Sequence, residues 1–585
     1  MYMDGEDICI RVNSLSSAKT HVPYNYYDHA FCVPHELVDY AENLGELLVG
    51  DNVESSPYTA HMRRPMPCQS LCTTRVTPLE IKTFMDRIDD RYTVNWVVDN
   101  LPAASRVGST TTHEHGYAVG FKYDGDYFIN NHVNVTIAYH RRDGDPGQYL
   151  VGIVVDASSR GYTEDACEAY DGPLRLHVNQ THIPWSYEVH YEESPVRWVS
   201  RWDMYLNWDQ TYDTDILWDD MLNGLIVVIT LGVLAGSILL HTLRQDLLRF
   251  NALATDLATD MAGDTEHGWK WVAHDACRGP SSHSLLFASM VGTGTQLLCT
   301  VLLALALGVF GFISPAQRGS VMIAFLVLFQ GLSHVAGYRA ARLYRYFNGK
   351  HWQRLARTTA LGFPGLVLAS FFMVNAVLWH QGSSAALPFY NMFVLLCMWI
   401  GIATPISFLG ARDGFLRPVY TPAATVSLVP RPIPPQTWYW HPVVLCLGCG
   451  FVPWSIVRYQ FYLILMSIWG NNFYYLYGIL CLVFLLTCVA VAEMSIIITY
   501  MKLNRGDYAW WWSSFLTSGS MAFYVMLDVL MYFNAKYDMV SLVPTLLYFT
   551  YMGLVCILVF LVFGVVGYTA TSMFVWAIYG RLKCD

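Results

Sequence analysis

Four ionisable side chains interrupt long apolar stretches of this 585-residue chain: His334, Arg458, Glu493 and Asp528. An acid or an arginine at the centre of a membrane helix costs roughly 2.5–3.5 kcal/mol on insertion scales, so each needs a partner or a water-filled cavity. Such a set could carry protons or ions across a membrane. It could equally be structural, because polar side chains also hold neighbouring membrane helices together.

The polar first part of the chain offers little catalytic chemistry. It shows no Ser/His/Asp arrangement, no paired-carboxylate pattern and no phosphate-binding glycine loop. His113-Glu114-His115 would place two imidazoles on one face of a strand, as in a fragment of a metal site, with His132 and His140 nearby. The alternative is a polar loop with exposed histidines. We expect no catalytic residue, no metal and no cofactor, and predict that the protein is not an enzyme.

Apolar segments must position the intramembrane charges, and they recur after residue 218. Hydrophobic residues make up 54% of the sequence and charged residues 14%, against about 25% charged in average chains. Runs of about 20 apolar residues can each cross ~30 Å of hydrocarbon. Nine spans are predicted, the last long enough to include a bend, at about 221–241, 285–313, 320–338, 360–379, 388–410, 442–468, 473–499, 513–534 and 543–578. The chain is predicted to be a polytopic α-helical membrane protein, with a first domain at 1–218 and a nine-helix transmembrane domain at 219–585.

Lysine and arginine are distributed unequally between alternate loops, and this bias predicts the orientation. With the N-terminal domain outside, the opposite side carries 17 of these residues, whereas the outer loops carry only Arg318 and Lys536. The 17 residues are Arg244, Arg249, Lys270, Arg278, Arg339, Arg342, Arg345, Lys350, Arg354, Arg357, Arg412, Arg417, Arg431, Lys502, Arg505, Arg581 and Lys583. The N-terminal domain is therefore predicted to be lumenal or extracellular, and the C-terminus cytosolic.

The N-terminal domain has features that suit a lumenal position. N-glycosylation sequons begin at Asn134 and Asn179. Some of its five cysteines should pair in an oxidising lumen, with Cys32, Cys68 and Cys72 as candidates, although connectivity cannot be read from sequence. The five are Cys9, Cys32, Cys68, Cys72 and Cys167. The net charge of −10 and the lack of a basic stripe argue against a nucleic-acid partner.

Short alternating stretches predict a β-rich N-terminal domain. Examples are Ile8–Val12, His132–Tyr139 and Tyr149–Asp156, which are separated by Gly, Asp and Pro. This spacing is typical of a sandwich or a similar antiparallel fold.

Several long motifs of this chain are distinctive. They are VPYNYYDHAFCVP (Val22–Pro34), AENLGELLVGDNVESSPY (Ala41–Tyr58), NWVVDNLP (Asn95–Pro102), GWKWVAHDACRGP (Gly268–Pro280), GYRAARLY (Gly337–Tyr344), VPRPIPPQTWYW (Val429–Trp440), SIWGNNFYYLYG (Ser467–Gly478), AEMSI (Ala492–Ile496), DYAWWWSSFLTSGS (Asp507–Ser520) and IYGRLKCD (Ile578–Asp585). Together they resemble the nonaspanins, the transmembrane nine superfamily, over essentially the whole chain. Members usually have a signal peptide, but this chain opens with MYMDGEDICIRV. Met1 is therefore interpreted as an internal start; the alternative is that the first span acts as a late signal anchor.

The resemblance implies a function in Golgi and endosomal membranes. Family members help to sort, escort or localise other transmembrane proteins. A C-terminal Lys-x-Asp/Glu signal, matched here by Lys583 and Asp585, binds coatomer and retains the protein in the Golgi. The expected partners are thus the lipid bilayer, client transmembrane proteins and coatomer. The alternative function is a secondary transporter or ion channel that uses the intramembrane acids Glu493 and Asp528.

The sequence departs from the family pattern in span 6. A glutamate is usual where this chain has Gln460, and Arg458 stands where apolar residues are usual. This change suggests a reworked polar contact, with Arg458 paired to Asp528.

Two further patterns have alternative interpretations. Trp510, Trp511 and Trp512 stand at the cytosolic entry to span 8, where aromatic belts collect; a substrate cage is the alternative. The small residues of 292–295 and 564–567 fit close helix contact, or a groove for a client helix.

Overall fold

The computed structural model describes residues 1–40, 43–106, 113–142, 144–161, 167, 172–206, 214–256, 268–280, 282–313, 319–422, 424, 426–427, 429–469, 477–536 and 541–580. Within these ranges the N-terminal part is a sheet-rich domain and the remainder is helical. The strands are β1 (Asp7–Val12), β2 (Glu54–His61), β3 (Met66–Arg75), β4 (Thr93–Val94), β5 (Trp96–Val98), β6 (Leu101–Pro102), β7 (Ala104–Arg106), β8 (His113–His115), β9 (Tyr117–Ala118), β10 (Gly120–Tyr123), β11 (Asp126–Ile129), β12 (His132–Arg141), β13 (Gln148–Ser158) and β14 (His182–Glu193). The β-rich prediction is confirmed.

Two main sheets share one apolar core. One has the strand order β3-β14-β12-β13-β7-β8, and the other has the order β2-β1-β5-β6. Alternate residues of β1, namely Ile8, Ile10 and Val12, point into the same core as Val135 of β12. The expected antiparallel pairing holds for β12 with β13, but β12 pairs in parallel with β14. The antiparallel prediction was therefore wrong for this pair, because the chain after β13 crosses over before it enters the sheet again.

Two short helices of this domain carry capping boxes. Helix α1 (Leu44–Val49) follows Asn43, whose side chain accepts from the Glu46 N–H, and α2 (Pro78–Asp89) follows Thr77, which does the same with Glu80. In each case the glutamate side chain binds back to the cap backbone, so two N–H groups at the helix start are satisfied. These caps fix where both helices begin.

Nine helical segments of the described residues are long and apolar enough to cross a membrane. They are span 1 (Trp218–Thr242), span 2 (Ser284–Val309), span 3 (Ser320–Tyr346), span 4 (Trp352–His380), span 5 (Phe389–Leu416), span 6 (Pro442–Trp469), span 7 (Tyr477–Asn504), span 8 (Trp510–Ala535) and span 9 (Leu542–Tyr579). The predicted polytopic class is confirmed. The helix that contains span 1 runs from Thr214 to Asp256; the division of the chain at residue 218 stays a prediction.

Three of the spans are interrupted. Span 3 consists of Ser320–Gly331 and Ser333–Tyr346, and span 8 of Trp510–Gly519 and Met521–Lys536. Span 5 consists of Phe389–Met398 and Thr404–Leu416, joined by a π-helical turn at 399–403. Span 9 has no such break. It is one helix of 38 residues, roughly 57 Å long, so its length does not reflect two elements with a connecting bend between them. Its only proline, Pro544, lies in the first turn, where proline is tolerated.

Glycines allow the closest helix contacts. A Cβ added to Gly337 of span 3 would overlap the Ser407 carbonyl of span 5, and one added to Gly410 would overlap the His334 carbonyl. Gly294 meets the Leu561 backbone, and Gly567 meets Ser518. The small-residue patches of spans 2 and 9 are therefore filled by the chain's own helices, as in tight membrane helix packing, and they do not form an open groove.

The sheet-rich domain is docked on one end of the helical bundle. Val22 is buried in an apolar cluster with Leu378 of span 4 and Tyr548 of span 9. His21 meets the Trp469 ring edge-to-face, with ring centroids 4.8 Å apart. We call residues 19–24 the docking loop. Beside it, α1 lies so close to span 3 that a Cβ on Gly45 would overlap the backbone of Gly319.

A cavity of about 190 Å³ lies at this junction. Lys19, Tyr24 and Arg87 line it from the sheet-rich domain, and Gln381 and Pro544 line it from the helical bundle. The start of span 9 is therefore part of the docking interface.

Candidate functional site in the membrane domain

The end of the bundle opposite the sheet-rich domain is built around three consecutive tryptophans. Each indole N–H donates to a backbone carbonyl of the segment between spans 1 and 2, which we call the first loop (268–280 and 282). The pairs are Trp510 with Ala276 at 2.8 Å, Trp511 with Arg278 at 2.8 Å, and Trp512 with Ser282 at 3.3 Å. The Tyr579 hydroxyl, at the end of span 9, donates to the Trp269 carbonyl at 2.9 Å. The first loop is thus held by side chains of spans 8 and 9.

The aromatic-belt interpretation was wrong for Trp510 and Trp511, which are only 1% and 4% exposed. A belt residue keeps its polar edge in the wet interface, whereas these two rings stack on each other with centroids 4.0 Å apart. The loop carbonyls that they bind would otherwise be unsatisfied. The triplet therefore has a structural role.

Charged groups near the tryptophan triplet are paired. The buried Asp275 carboxylate accepts from the Arg278 guanidinium at 3.2 Å and from the Ser427 hydroxyl at 2.7 Å. Lys502 lies 3.0 Å from Asp507, and both side chains are mostly buried. The Ser427 hydrogen bond ties the first loop to the segment before span 6, and the Lys502–Asp507 ion pair ties the end of span 7 to the turn that follows it.

Arg458 and Asp528 come together between spans 6 and 8. The Arg458 Nε lies 3.8 Å from Asp528 Oδ1, and the Trp454 indole N–H donates to Asp528 Oδ2 at 2.6 Å. The guanidinium also lies over the Trp454 ring, 5.1 Å from its centroid. The hypothetical pairing of Arg458 with Asp528 is thus present, with an aromatic ring as its third member.

The other intramembrane polar residues lie elsewhere. His334 Nε2 is 3.2 Å from Asp413 Oδ2, and both side chains are about half exposed. Gln460 is fully buried in span 6. Glu493 faces span 1, where its Oε1 lies 3.1 Å from the Cβ position of Gly232. The structure therefore divides the five predicted residues among separate contacts rather than placing them in one network.

Glu493 has an unusual environment. Its Oε2 is enclosed, and no donor from the part of the chain that the structure describes contacts this atom. The neighbouring Gly232 brings no side chain to cover it.

Sequence reasoning missed three members of these contacts: Trp454, Asp413 and Asp275. Trp454 precedes Arg458 by one helical turn, so the i,i+4 spacing could have indicated it. Asp413 and Asp275 lie at span ends and in a loop, where an acid is unremarkable. Only the fold shows that they are partners of His334 and Arg278.

In the sheet-rich domain, disulfides join Cys32 to Cys72 and Cys68 to Cys167, whereas Cys9 is free and exposed. These bridges tie β3, which contains Cys68 and Cys72, to Cys32 and to Cys167. Bridges of this kind are typical of oxidising compartments.

The two sequon asparagines have different surroundings. Asn134 is half-buried on β12, the strand between β13 and β14, and its Oδ1 is enclosed. Asn179 lies exposed in the turn before β14.

The described residues contain no group of three His, Cys, Asp or Glu side chains placed to hold an ion. His132 bonds Ser186 at 2.8 Å, and His140 bonds the Ser194 carbonyl at 3.0 Å. Burial and the Arg160 guanidinium lower the pKa of His132, although Glu188 opposes this. His113-Glu114-His115 forms β8.

Lys583 and Asp585 lie outside the described residues. The last described residue is Gly580, just past the end of span 9.

Comparisons with known proteins agree with this architecture. The sequence model of the family described as endomembrane protein 70 matches residues 23–542. Transmembrane 9 superfamily member 9 of Arabidopsis thaliana is 38% identical, over 99% of this chain and 94% of its own length. Transmembrane 9 superfamily member 4 of Homo sapiens is 34% identical, over 100% of this chain and 95% of its own. No solved structure matches.

A docked sheet-rich domain, nine membrane-length helices within the described residues and similarity along the whole chain lead to one conclusion: this multi-pass membrane protein belongs to the endomembrane protein 70 family, the transmembrane 9 superfamily.

Proposed function

We propose that this protein sorts, escorts or localises other transmembrane proteins in Golgi and endosomal membranes. The observation that carries the proposal is the docking of a disulfide-bonded, sheet-rich domain on a nine-span bundle, in a chain similar over its length to endomembrane proteins. Such a molecule offers one surface to the ectodomain of a client and another to its membrane helix. The paired charges and satisfied carbonyls described above suit a scaffold more than a reaction centre.

The orientation we propose places the sheet-rich domain in the lumen and the C-terminus in the cytosol. The excess of lysine and arginine on the side of the tryptophan triplet supports this. The disulfides, which persist in oxidising compartments, support it independently. Within this orientation, Lys583 and Asp585 form a cytosolic coatomer-binding signal, and the protein cycles between compartments through it.

The test of this cycling is the steady-state location of the protein with an untagged C-terminus and a cleavable signal peptide. A Lys583→Ser/Asp585→Ser variant should leave the Golgi. A Cys584→Ser variant of the same tail should stay, because it keeps both charges. If the double variant and the parent occupy the same compartment, the signal is wrong.

The sorting role has its own test, in cells that lack the protein. A panel of single-span reporters should change its distribution between Golgi and cell surface, and the parent chain should restore it. Unchanged distributions for every reporter would refute the sorting role.

A second candidate function is proton or ion transport, and the enclosed Glu493 favours it. Proton transport needs an acid inside the membrane domain that is not committed to a structural contact, and no described donor contacts Glu493 Oε2. Proton flux into proteoliposomes should then require Glu493, with Glu493→Gln inactive and correctly localised. The separation of Glu493 from Asp528 counts against a relay between these two acids.

A further inference from the structure

We propose that the membrane-facing surface around Arg458 docks a client transmembrane helix that carries a carboxylic side chain near the middle of its apolar segment. The proposal rests on the proposed sorting function and specifies one class of client for it.

The contacts of Arg458 leave part of its guanidinium group available. Its side chain is 56% exposed, whereas the Asp528 side chain is 12% exposed. Asp528 is also satisfied from the other side, by the Trp454 indole N–H at 2.6 Å. A guanidinium has five N–H donors, and among the described residues the Asp528 carboxylate, which faces Nε, is its one acidic partner. More than half of the Arg458 side chain is therefore open to a further partner, and the spare donors of the guanidinium favour a second carboxylate.

The depth of Arg458 favours a protein acid over a lipid phosphate. Span 6 has 28 residues, Pro442–Trp469, and Arg458 lies roughly 4 Å beyond its midpoint along the axis. The hydrocarbon boundary is ~15 Å from the membrane centre. An extended arginine side chain of about six bonds spans roughly 7 Å. If the midpoint of span 6 lies at the membrane centre, the guanidinium falls short of the phosphate layer, and an acid inside the bilayer is closer to it than a lipid phosphate.

The surrounding surface suits a helix. Phe451 and Tyr462 are exposed on span 6, about two turns before and one turn after Arg458. Leu527 and Met531 are exposed on span 8. This surface is mostly apolar, and Arg458 is its cation; exposed Ser455 and the Tyr462 hydroxyl are its neutral polar groups. An apolar helix with one central acid matches both its apolar character and its charge.

The chain's own first span does not cover this surface. Span 1 approaches span 6 on another side, where Gly224 faces Ile456. Ile456 and Arg458 are two positions apart, so they project about 200° from each other around the helix. A helix docked at Arg458 therefore has no intramolecular competitor in the described residues.

The experiment uses full-length protein in phospholipid nanodiscs with a single-span leucine–alanine reporter. The reporter carries one central Asp, or Asn as its neutral isostere. A photo-crosslinking amino acid at position 451 reports proximity. We expect the Asp reporter to crosslink roughly tenfold more than the Asn reporter. Arg458→Leu should abolish this preference, and Arg357→Leu, the same change at an exposed arginine of span 4, should retain it.

A charge exchange keeps the test informative if Arg458→Leu folds poorly. Arg458→Asp should prefer a reporter with a central Lys over one with a central Asp. Preference for Asp that survives Arg458→Leu would overturn the proposal. A crosslinking yield that depends on Arg458 and on the anionic lipid content, but not on the reporter's acid, would also overturn it. If Arg458→Leu instead abolishes self-association between tagged copies and no reporter preference is seen, the occupant is a second copy of this chain and the proposal is wrong. The sorting function is decided separately, by neutral reporters in cells that lack the protein.

Discussion

The hydroxyl of Ser383 donates a 2.7 Å hydrogen bond to the backbone carbonyl of Pro23, a residue 360 positions earlier in the chain. The Ser384 N–H donates to the same carbonyl at 3.1 Å. Both donors belong to the turn between spans 4 and 5, and Pro23 belongs to the docking loop. The turn therefore fixes the tip of the loop beside buried Val22, and the contact between the two parts of the molecule is polar as well as apolar.

Replacing Gly45 by alanine should loosen this docking. The new Cβ would overlap the Gly319 backbone, so α1 would have to move away from span 3. In a free helix the change from glycine to alanine is favourable by about 1 kcal/mol. Any loss of docking stability therefore comes from the contact with Gly319 and not from a weaker helix. We expect limited proteolysis to release the sheet-rich domain roughly fivefold faster. Gly553→Ala in span 9, where nothing lies within 4 Å, is the matched control and should change nothing.

Acid should weaken the docking through His21. Burial lowers the pKa of His21 to about 4, and release from Trp469 returns it towards about 6.5. The released state then binds more protons below pH 6.5, so docking weakens as the pH falls from about 6.5 to about 4, by at most ~1.4 kcal/mol per pH unit. Fluorescence energy transfer between the two parts should decrease over this range. His21→Asn, which tolerates the positive φ at this position, should flatten the dependence.

His29 provides the contrast to this prediction. Burial and the Arg87 guanidinium also lower its pKa to about 4, but it lies inside the sheet-rich domain. Its titration therefore affects unfolding of that domain rather than docking. A pH dependence of docking that is lost in a His29 variant and kept in His21→Asn would contradict the assignment.

Removing the indole N–H of Trp510 should free the first loop. Trp510→Phe keeps a buried ring but leaves the Ala276 carbonyl without its donor, at a cost of about 1–3 kcal/mol. Amide hydrogen exchange in residues 268–280 should accelerate accordingly. Trp438→Phe, at a ring that is 78% exposed, is the control. Equal exchange in Trp510→Phe and the parent would show that other contacts hold the loop.

One of the two sequons should carry the glycan if the sheet-rich domain is lumenal. Asn179 is exposed, whereas Asn134 lies half-buried on a strand inside the larger sheet. A glycan on Asn134 would have to displace neighbouring side chains. Glycosidase treatment should therefore shift the protein once, and Asn179→Gln should abolish the shift while Asn134→Gln retains it. The opposite result would mean that this part of the sheet is open when glycans are added.

Periodicity and length were sufficient to predict the architecture. The nine spans and strands such as β12 follow from patterns within short windows of sequence. The same face recurs every two residues in a strand and every three to four residues in a helix. The parallel pairing of β12 with β14 depends on a crossover connection, which no local pattern encodes. The unbroken span 9 was missed for a similar reason, since its length suggested two elements and only packing keeps it as one.

The polar contacts were harder to predict. Arg458 and Asp528 could be proposed as partners because an isolated charge in a membrane helix needs one. The role of the tryptophan triplet could not be foreseen, since the carbonyls it binds belong to a loop more than 200 positions away. Side chains that satisfy distant backbone atoms leave no periodic signal.

Span 9, as one continuous helix, connects the two ends of the bundle. Pro544, near its start, lines the cavity under the docking loop, and Tyr579, at its end, holds the Trp269 carbonyl of the first loop. This helix runs for 38 residues without a break between the two contacts. The docking loop and the first loop are therefore approached by the two ends of one secondary-structure element, so a displacement of that helix would alter both contacts together.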